Sequence, residues 1–102
     1  MRWMHGQFTR ELRLEDAAKV AGLAPASFSR FFRAATNKRF IEYLGELRIE
    51  EACRRLAGGE ERIVTIGLEC GYANLSNFNR QFLQRRGMTP RAYRVQWAGL
   101  MA

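Results

Sequence analysis

Two stretches of this chain are written on one pattern. Leu14-x-x-Ala17-Ala18-x-x-x-Gly22 and Ile63-x-x-Ile66-Gly67-x-x-x-Gly71 both read apolar, two gaps, apolar, small, three gaps, glycine, at an offset of 49 residues. A hydrophobe follows each glycine, Leu23 or Tyr72. Then come Phe28-Ser29-Arg30-Phe31-Phe32 and Phe78-Asn79-Arg80-Gln81-Phe82, now offset by 50, so the second copy holds one more residue in or just after its turn. A short amphipathic helix, a glycine turn and a second helix at a steep angle make helix-turn-helix geometry. The small residue, Ala18 or Gly67, lets the two helices approach. Gly22 and Gly71 are expected to take positive φ as the first helix ends. The paired phenylalanines four apart turn inward, which leaves the intervening positions and the helix start facing out.

The rest of the chain is helical in period as well, and strand-like alternation is absent. Leu14, Ala17, Ala18 and Ala21 form one stripe, and Phe28, Phe31 and Phe32 the next. Phe40, Leu44, Leu47, Ala52 and Leu56 mark a helix of about 17 residues, about 25 Å long at 1.5 Å per residue. Gly58-Gly59 caps it. Pro90 opens a last helix, with Thr89 as its N-cap. The expected fold is all-α: about seven helices in two helix-turn-helix subdomains joined by a long linker helix. The boundaries fall near 12–36 for the first unit, 39–57 for the linker, 62–87 for the second unit and 90–97 for the C-terminal helix.

Composition narrows the function. The 102 residues make one domain of ordinary size, and 47% are hydrophobic, enough for a packed core. The formal net charge is +7, and every basic residue except Lys19 and Lys38 is an arginine. Arginine's planar fork of donors fits phosphates and guanine edges, so a polyanionic partner is favoured. Cys53 and Cys70 fall in apolar helical patterns without a CxxC spacing, which argues against a disulfide framework or zinc site and for reduced, buried thiols. His5 is the only histidine and Asp16 the only aspartate. With no phosphate loop and no metal-ligand cluster, no catalytic residue is expected, and the chain reads as a non-enzyme with no metal and no cofactor. No apolar run approaches the roughly 18 residues that span a bilayer, and Met1–Arg10 does not read as a signal peptide. A cytoplasmic protein is the expectation.

The sequence resembles the AraC/XylS family of bacterial transcription regulators. The likeness runs through Leu14-Glu15-Asp16-Ala17-Ala18, Ala21-Gly22-Leu23, Phe28-Ser29-Arg30-Phe31-Phe32, Tyr43-Leu44, Arg48-Ile49 and Ala52. It continues in Ile66-Gly67-Leu68-Glu69-Cys70-Gly71-Tyr72 and Phe78-Asn79-Arg80-Gln81-Phe82, and closes with Gly87-Met88-Thr89-Pro90 and Tyr93-Arg94. It covers about residues 8 to 95. Asn37 stands where the family usually has glycine, and asparagine also tolerates the left-handed conformation. Pro25 and Ala26 make the start of the first recognition helix less polar than is common. The family's first helix usually begins further upstream, and Arg2-Trp3-Met4 reads as its tail. The resemblance thus implies a truncated chain, or a fragment whose missing partner is an N-terminal effector-binding domain. It also implies transcription regulation, as an activator, with RNA polymerase as a second partner. No small-molecule ligand is expected in this domain, no membrane association, and a monomer in isolation.

In helix-turn-helix proteins the start of the second helix faces base edges in the major groove. The base-facing candidates are Ala26, Ser29 and Arg30 in the first unit, and Leu75, Ser76, Asn79 and Arg80 in the second. Arginine can pair with guanine, asparagine with adenine, and Ala26 or Leu75 can touch thymine methyl groups. Ser29 has a competing role as a backbone hydrogen-bonder, Leu75 as a packing residue, and Arg30 and Arg80 as salt-bridge partners. Arg33, Lys38, Arg39, Arg85 and Arg86 are the phosphate candidates, setting affinity and register rather than sequence. Arg48 reads as structural, paired with a carboxylate, and Tyr93 and Trp97 as core or cap residues. Glu60-Glu61-Arg62 reads as a solvated loop. A basic helical module docking an acidic protein, a non-specific DNA binder and a membrane-surface domain are the competing classes. The first and last of these need no matched pair of helix-turn-helix units.

Overall fold

A computed structural model describes residues 13–101, with side chains described through Trp97. Arg2-Trp3-Met4 and His5 lie outside the described residues. Among those described there are six helices, rather than about seven, and no strand. They are α1 (Leu14–Ala21), α2 (Pro25–Thr36), α3 (Phe40–Gly58), α4 (Ile63–Glu69), α5 (Leu75–Arg86) and α6 (Pro90–Met101).

The turns follow from single residues. Gly22 closes α1 at φ 73°, and the Leu23 N–H returns to the Ala18 carbonyl at 2.9 Å. Tyr72 repeats that bond to Gly67 at 3.1 Å, with Gly71 at φ 102°. Asn37 and Gly87 close α2 and α5 in the left-handed region, at φ 58° and 73°. Asparagine therefore does at 37 what glycine does at 87. Thr89 caps α6 by accepting the Ala92 N–H at 3.1 Å. The end of α3 departs from expectation. The helix includes Gly58, and Gly59 caps it in an extended conformation, φ −163°.

The molecule is elongated, 48 × 23 × 22 Å, because it has two cores. The first gathers Ala17, Ala18, Phe28, Phe32, Phe40 and Leu44. The second gathers Ile49, Ala52, Cys53, Leu56, Ile66, Cys70, Tyr72, Phe78 and Phe82. Burying each phenylalanine contributes on the order of 1.5–3 kcal/mol. α3 serves both cores, its first turns one and its last three turns the other. The repeat also extends further than the sequence pattern revealed. Tyr43 meets the Phe32 ring edge-on at 5.3 Å, and Tyr93 meets Phe82 in the same way at 5.5 Å. The start of α3 is thus the counterpart of α6.

Gly67 lies against the Phe78 ring so closely that a Cβ there would come within 2.7 Å. This is the close approach the repeat requires of a small residue. Phe31, by contrast, does not join the buried stripe. It is 56% exposed, on the flank of α2, and Ala21 is exposed too. Cys53 and Cys70 are buried free thiols, and burial pushes the Cys70 thiol up to about 11.

Candidate nucleic-acid interface

Phe28 and Phe32 pin one side of α2 into the first core, so Ala26, Ser29, Arg30 and Arg33 on the other sides are exposed. Phe78 and Phe82 do the same for α5, exposing Ser76 and Arg80. Asn79 is half-buried on the flank, and Leu75, in the first turn, is 39% exposed. Lys38 and Arg39, between α2 and α3, are exposed. Ser29 and Arg33 share a groove with Arg39, Phe40 and Ile41. The same groove is lined from α1 by Leu14 and Glu15.

The two recognition helices are built differently at their starts. α2 begins at Pro25 after Ala24, whose side chain accepts no hydrogen bond. α5 begins after Asn74, whose Oδ1 accepts the Asn77 N–H at 2.8 Å. The Arg80 guanidinium in turn donates to the Asn77 Oδ1 at 3.0 Å. Asn74, Asn77 and Arg80 thus form a chain that holds the Arg80 side chain along the helix. Sequence reasoning did not single out Asn77. Its three-residue spacing from Arg80 was the available signal, since residues three apart on a helix are neighbours.

Arg85 and Arg86 have another engagement. Both are half-buried and turn to Glu46 of α3, Arg86 at 2.8 Å and Arg85 at 3.6 Å. Burial opposes ionisation of Glu46. The Arg86 hydrogen bond and the charges of Arg86, Arg85 and Lys38 outweigh it and hold the carboxyl below its usual range. Arg48 lies with its guanidinium 5.8 Å from the Tyr72 ring centre, a cation–π arrangement. Tyr93 is half-buried against Phe82, and Trp97, which is exposed, meets the Tyr93 ring at a tilt, 6.0 Å between centres. Glu60, Glu61 and Arg62 are exposed, as expected of a solvated loop.

Charge is partitioned by helix. Neither α2 nor α5 carries an acidic residue. Every carboxylate side chain of the described residues lies on α1, α3, α4 or the loop before α4. No group of three or more His, Cys, Asp or Glu among the described residues is placed to hold a metal. No described helix is long and apolar enough to cross a membrane.

Two exposed, acid-free second helices on a shared linker define a double helix-turn-helix domain, and comparison with known proteins gives it a family. The helix-turn-helix domain family matches residues 17–96. The chain belongs to this family, in its AraC-type branch, a class of DNA-binding domains of transcription regulators. It is 34% identical over 92 residues to YobQ of Bacillus subtilis (strain 168), an uncharacterized HTH-type transcriptional regulator, covering 90% of this chain and 38% of that protein. A transcriptional regulator of Chromobacterium violaceum with an AraC-type DNA-binding domain superposes with a TM-score of 0.87 at 28% identity, covering 95% of this chain and 87% of the other. The DNA-binding domain of the global transcriptional factor AdpA, solved with a target DNA, shares the fold. Its TM-score is 0.92 at 22% identity, covering 96% and 88% of the two chains. The chain spans only 32 to 38% of the length of the first curated relatives it matches.

Proposed function

We propose that this chain reads double-stranded DNA with α2 and α5 in two successive major grooves of one asymmetric site. The observation that carries this is the pair of acid-free, arginine-bearing helices fixed to one continuous helix within a body 48 Å long. Successive major grooves lie about 34 Å apart, within that length. Where the reach falls short the DNA bends, at a cost of about 1–6 kcal/mol.

In this reading Arg80, held by Asn77, pairs with guanine, and Asn79 pairs with adenine. Ser76 and Leu75 border the same base pairs. Ala26, Ser29 and Arg30 face the other groove. Arg33, Lys38 and Arg39 supply phosphate contacts, which set affinity and its salt dependence. Arg85 and Arg86 serve first through Glu46. The chain acts in the cytoplasm as a monomeric reading head of a longer bacterial regulator. We further propose that an effector-binding domain precedes it there, and that the whole activates transcription by touching RNA polymerase.

The test is selection from random duplex DNA at about 0.15 M salt, with wild type, Arg80→Ala and Arg30→Ala in parallel. A two-part motif is expected. Arg80→Ala relaxes one position in one half, at a cost of about 1–3 kcal/mol. Arg30→Ala, lacking an equivalent side-chain support, costs less and acts on the other half. A one-part motif overturns the two-groove reading. Enrichment of no sequence leaves only a non-specific polyanion binder.

A further inference from the structure

We propose that Gly45 and Glu46 are positioning residues that seat the end of α5 on the linker helix and thereby set the distance between the two half-sites. The proposal rests on the two-groove reading above. It starts from where the cores end. On α3, Leu44 is the last residue of the first core and Ile49 the first of the second. The stretch between them belongs to neither, and it is there that the two units are coupled.

Gly45 sits in the interior of a 19-residue helix, where glycine weakens the backbone relative to alanine. What it gains is a seat. The Arg85 guanidinium packs against it, and a Cβ at Gly45 would overlap an Arg85 Nη and come within 2.8 Å of its Cζ. The Arg85 Nε is buried with no hydrogen-bond acceptor, so packing on Gly45 and the neighbouring Glu46 carboxylate hold the group in place. Glu46 takes Arg86 at 2.8 Å with its other oxygen. Phe78 and Phe82 fix the body of α5 in the second core. The seat adds a hold on its last turn. It ties that end to the part of α3 adjoining Phe40 and Leu44, which anchor the first unit. No major packing joins α1 or α2 directly to α4, α5 or α6. Releasing the seat leaves α5 held to α3 by the second core alone and so loosens the angle of its last turn relative to α2.

Each base pair inserted between half-sites moves one groove relative to the other by about 3.4 Å and roughly 34° of rotation. A firmly seated α5 discriminates against that change, and a released one tolerates it. The experiment measures binding of wild type, Gly45→Ala and Glu46→Gln to duplexes holding the two selected half-motifs at spacings varied by one base pair. Wild type is expected to show one sharp optimum. In both variants the penalty for a one-base-pair change falls by roughly 2- to 30-fold, the size that coupling through packed elements takes. The half-motifs themselves stay unchanged. Gly45→Ala separates positioning from structure. Alanine favours the helix, and the neighbour it displaces is the far end of a flexible side chain, so melting temperature holds or rises while spacing selectivity falls. Spacing profiles that match wild type overturn the seat alone. A wild type that selects a one-part site overturns the two-groove reading and the seat with it.

Discussion

The two helix-turn-helix units share a backbone plan and differ in what holds it. The first is held by apolar packing. Its rings interlock, with Phe28, Phe32, Phe40 and Tyr43 within 5.3 to 5.9 Å of one another in successive pairs. Within α2 the Thr36 hydroxyl donates to the Phe32 carbonyl at 2.8 Å. The second unit adds ties across elements. Arg55 of α3 bonds Glu51 on its own helix and Glu69 of α4, and Arg94 of α6 donates to the Leu56 carbonyl of α3. Its recognition helix is capped by a side chain and carries an arginine already held along it. Duplication thus preserves the steric pattern and leaves the polar detail free to diverge. Under the proposed two-groove reading, the second unit is the better prepared for base-specific contacts, since Arg80 is already held by Asn77 and would lose less side-chain freedom on binding.

The largest effects come from testing whether the two cores are separable. Phe32→Ala and Phe82→Ala each remove a fully buried ring and should cost about 3–5 kcal/mol. Because the cores share only α3, Phe32→Ala is expected to loosen α1 and α2 while α4 to α6 keep slow amide hydrogen exchange. Phe82→Ala should do the reverse. Uniform loss of protection throughout the chain in either variant would show one cooperative body, and the contrast between units would then lie only in the surface.

Much of this fold was legible in the sequence because its determinants are local. Glycines 22, 71 and 87 and Asn37 mark left-handed turns wherever they occur, and paired phenylalanines four apart declare a buried stripe. The same logic failed at Phe31. Three apolar residues at 28, 31 and 32 fit one helical face equally well, and only the placement of α1 and α3 decides which two are covered. Exposure of Ala26, Ser29, Arg30, Ser76 and Arg80 was legible as the complement of that stripe. The fate of Arg85 and Arg86 was not. Their partner Glu46 is 40 residues from Arg86 in the chain, and no local spacing announces it. A basic residue near a recognition helix reads as a phosphate contact until its tertiary partner is known.

The capping difference gives a medium-sized test. Asn74→Ala removes the acceptor for the Asn77 N–H and should destabilise the second unit by about 1 kcal/mol. Ala24→Ser supplies the first unit with the cap it lacks and should stabilise it, by about 0.5–1 kcal/mol. Both are read by chemical denaturation. Asn74→Ala also frays the first turn that carries Asn77, so under the proposed reading Arg80-dependent base discrimination should weaken with stability. If Ala24→Ser has no effect, the first unit's start is limited by Pro25 rather than by the missing acceptor.

The smallest effect concerns acid. Glu46 is held below its usual range, against the opposing effect of burial, by Arg86, Arg85 and Lys38. Glu51 is held below it first by Arg54, against burial, and then by Arg55. Both sit on α3: Glu46 ties down the end of α5, and Glu51 holds Arg55, which reaches Glu69 of α4. A carboxyl whose folded-state pKa is depressed contributes stability that is complete above its ordinary value, near 4.5. As pH falls through the lower folded value, the unfolded chain has already taken up the proton and that stability is lost. Solvent screening keeps the Glu46 contribution below about 1 kcal/mol. Stability measured by denaturation should therefore be flat near neutrality and decline below about pH 4.5, with Glu46→Gln shallower than wild type. The first unit's core is built of apolar side chains, so amide exchange should rise first in α4 and α5. If α1 and α2 loosen first in acid, the polar ties of the second unit are not what acid removes.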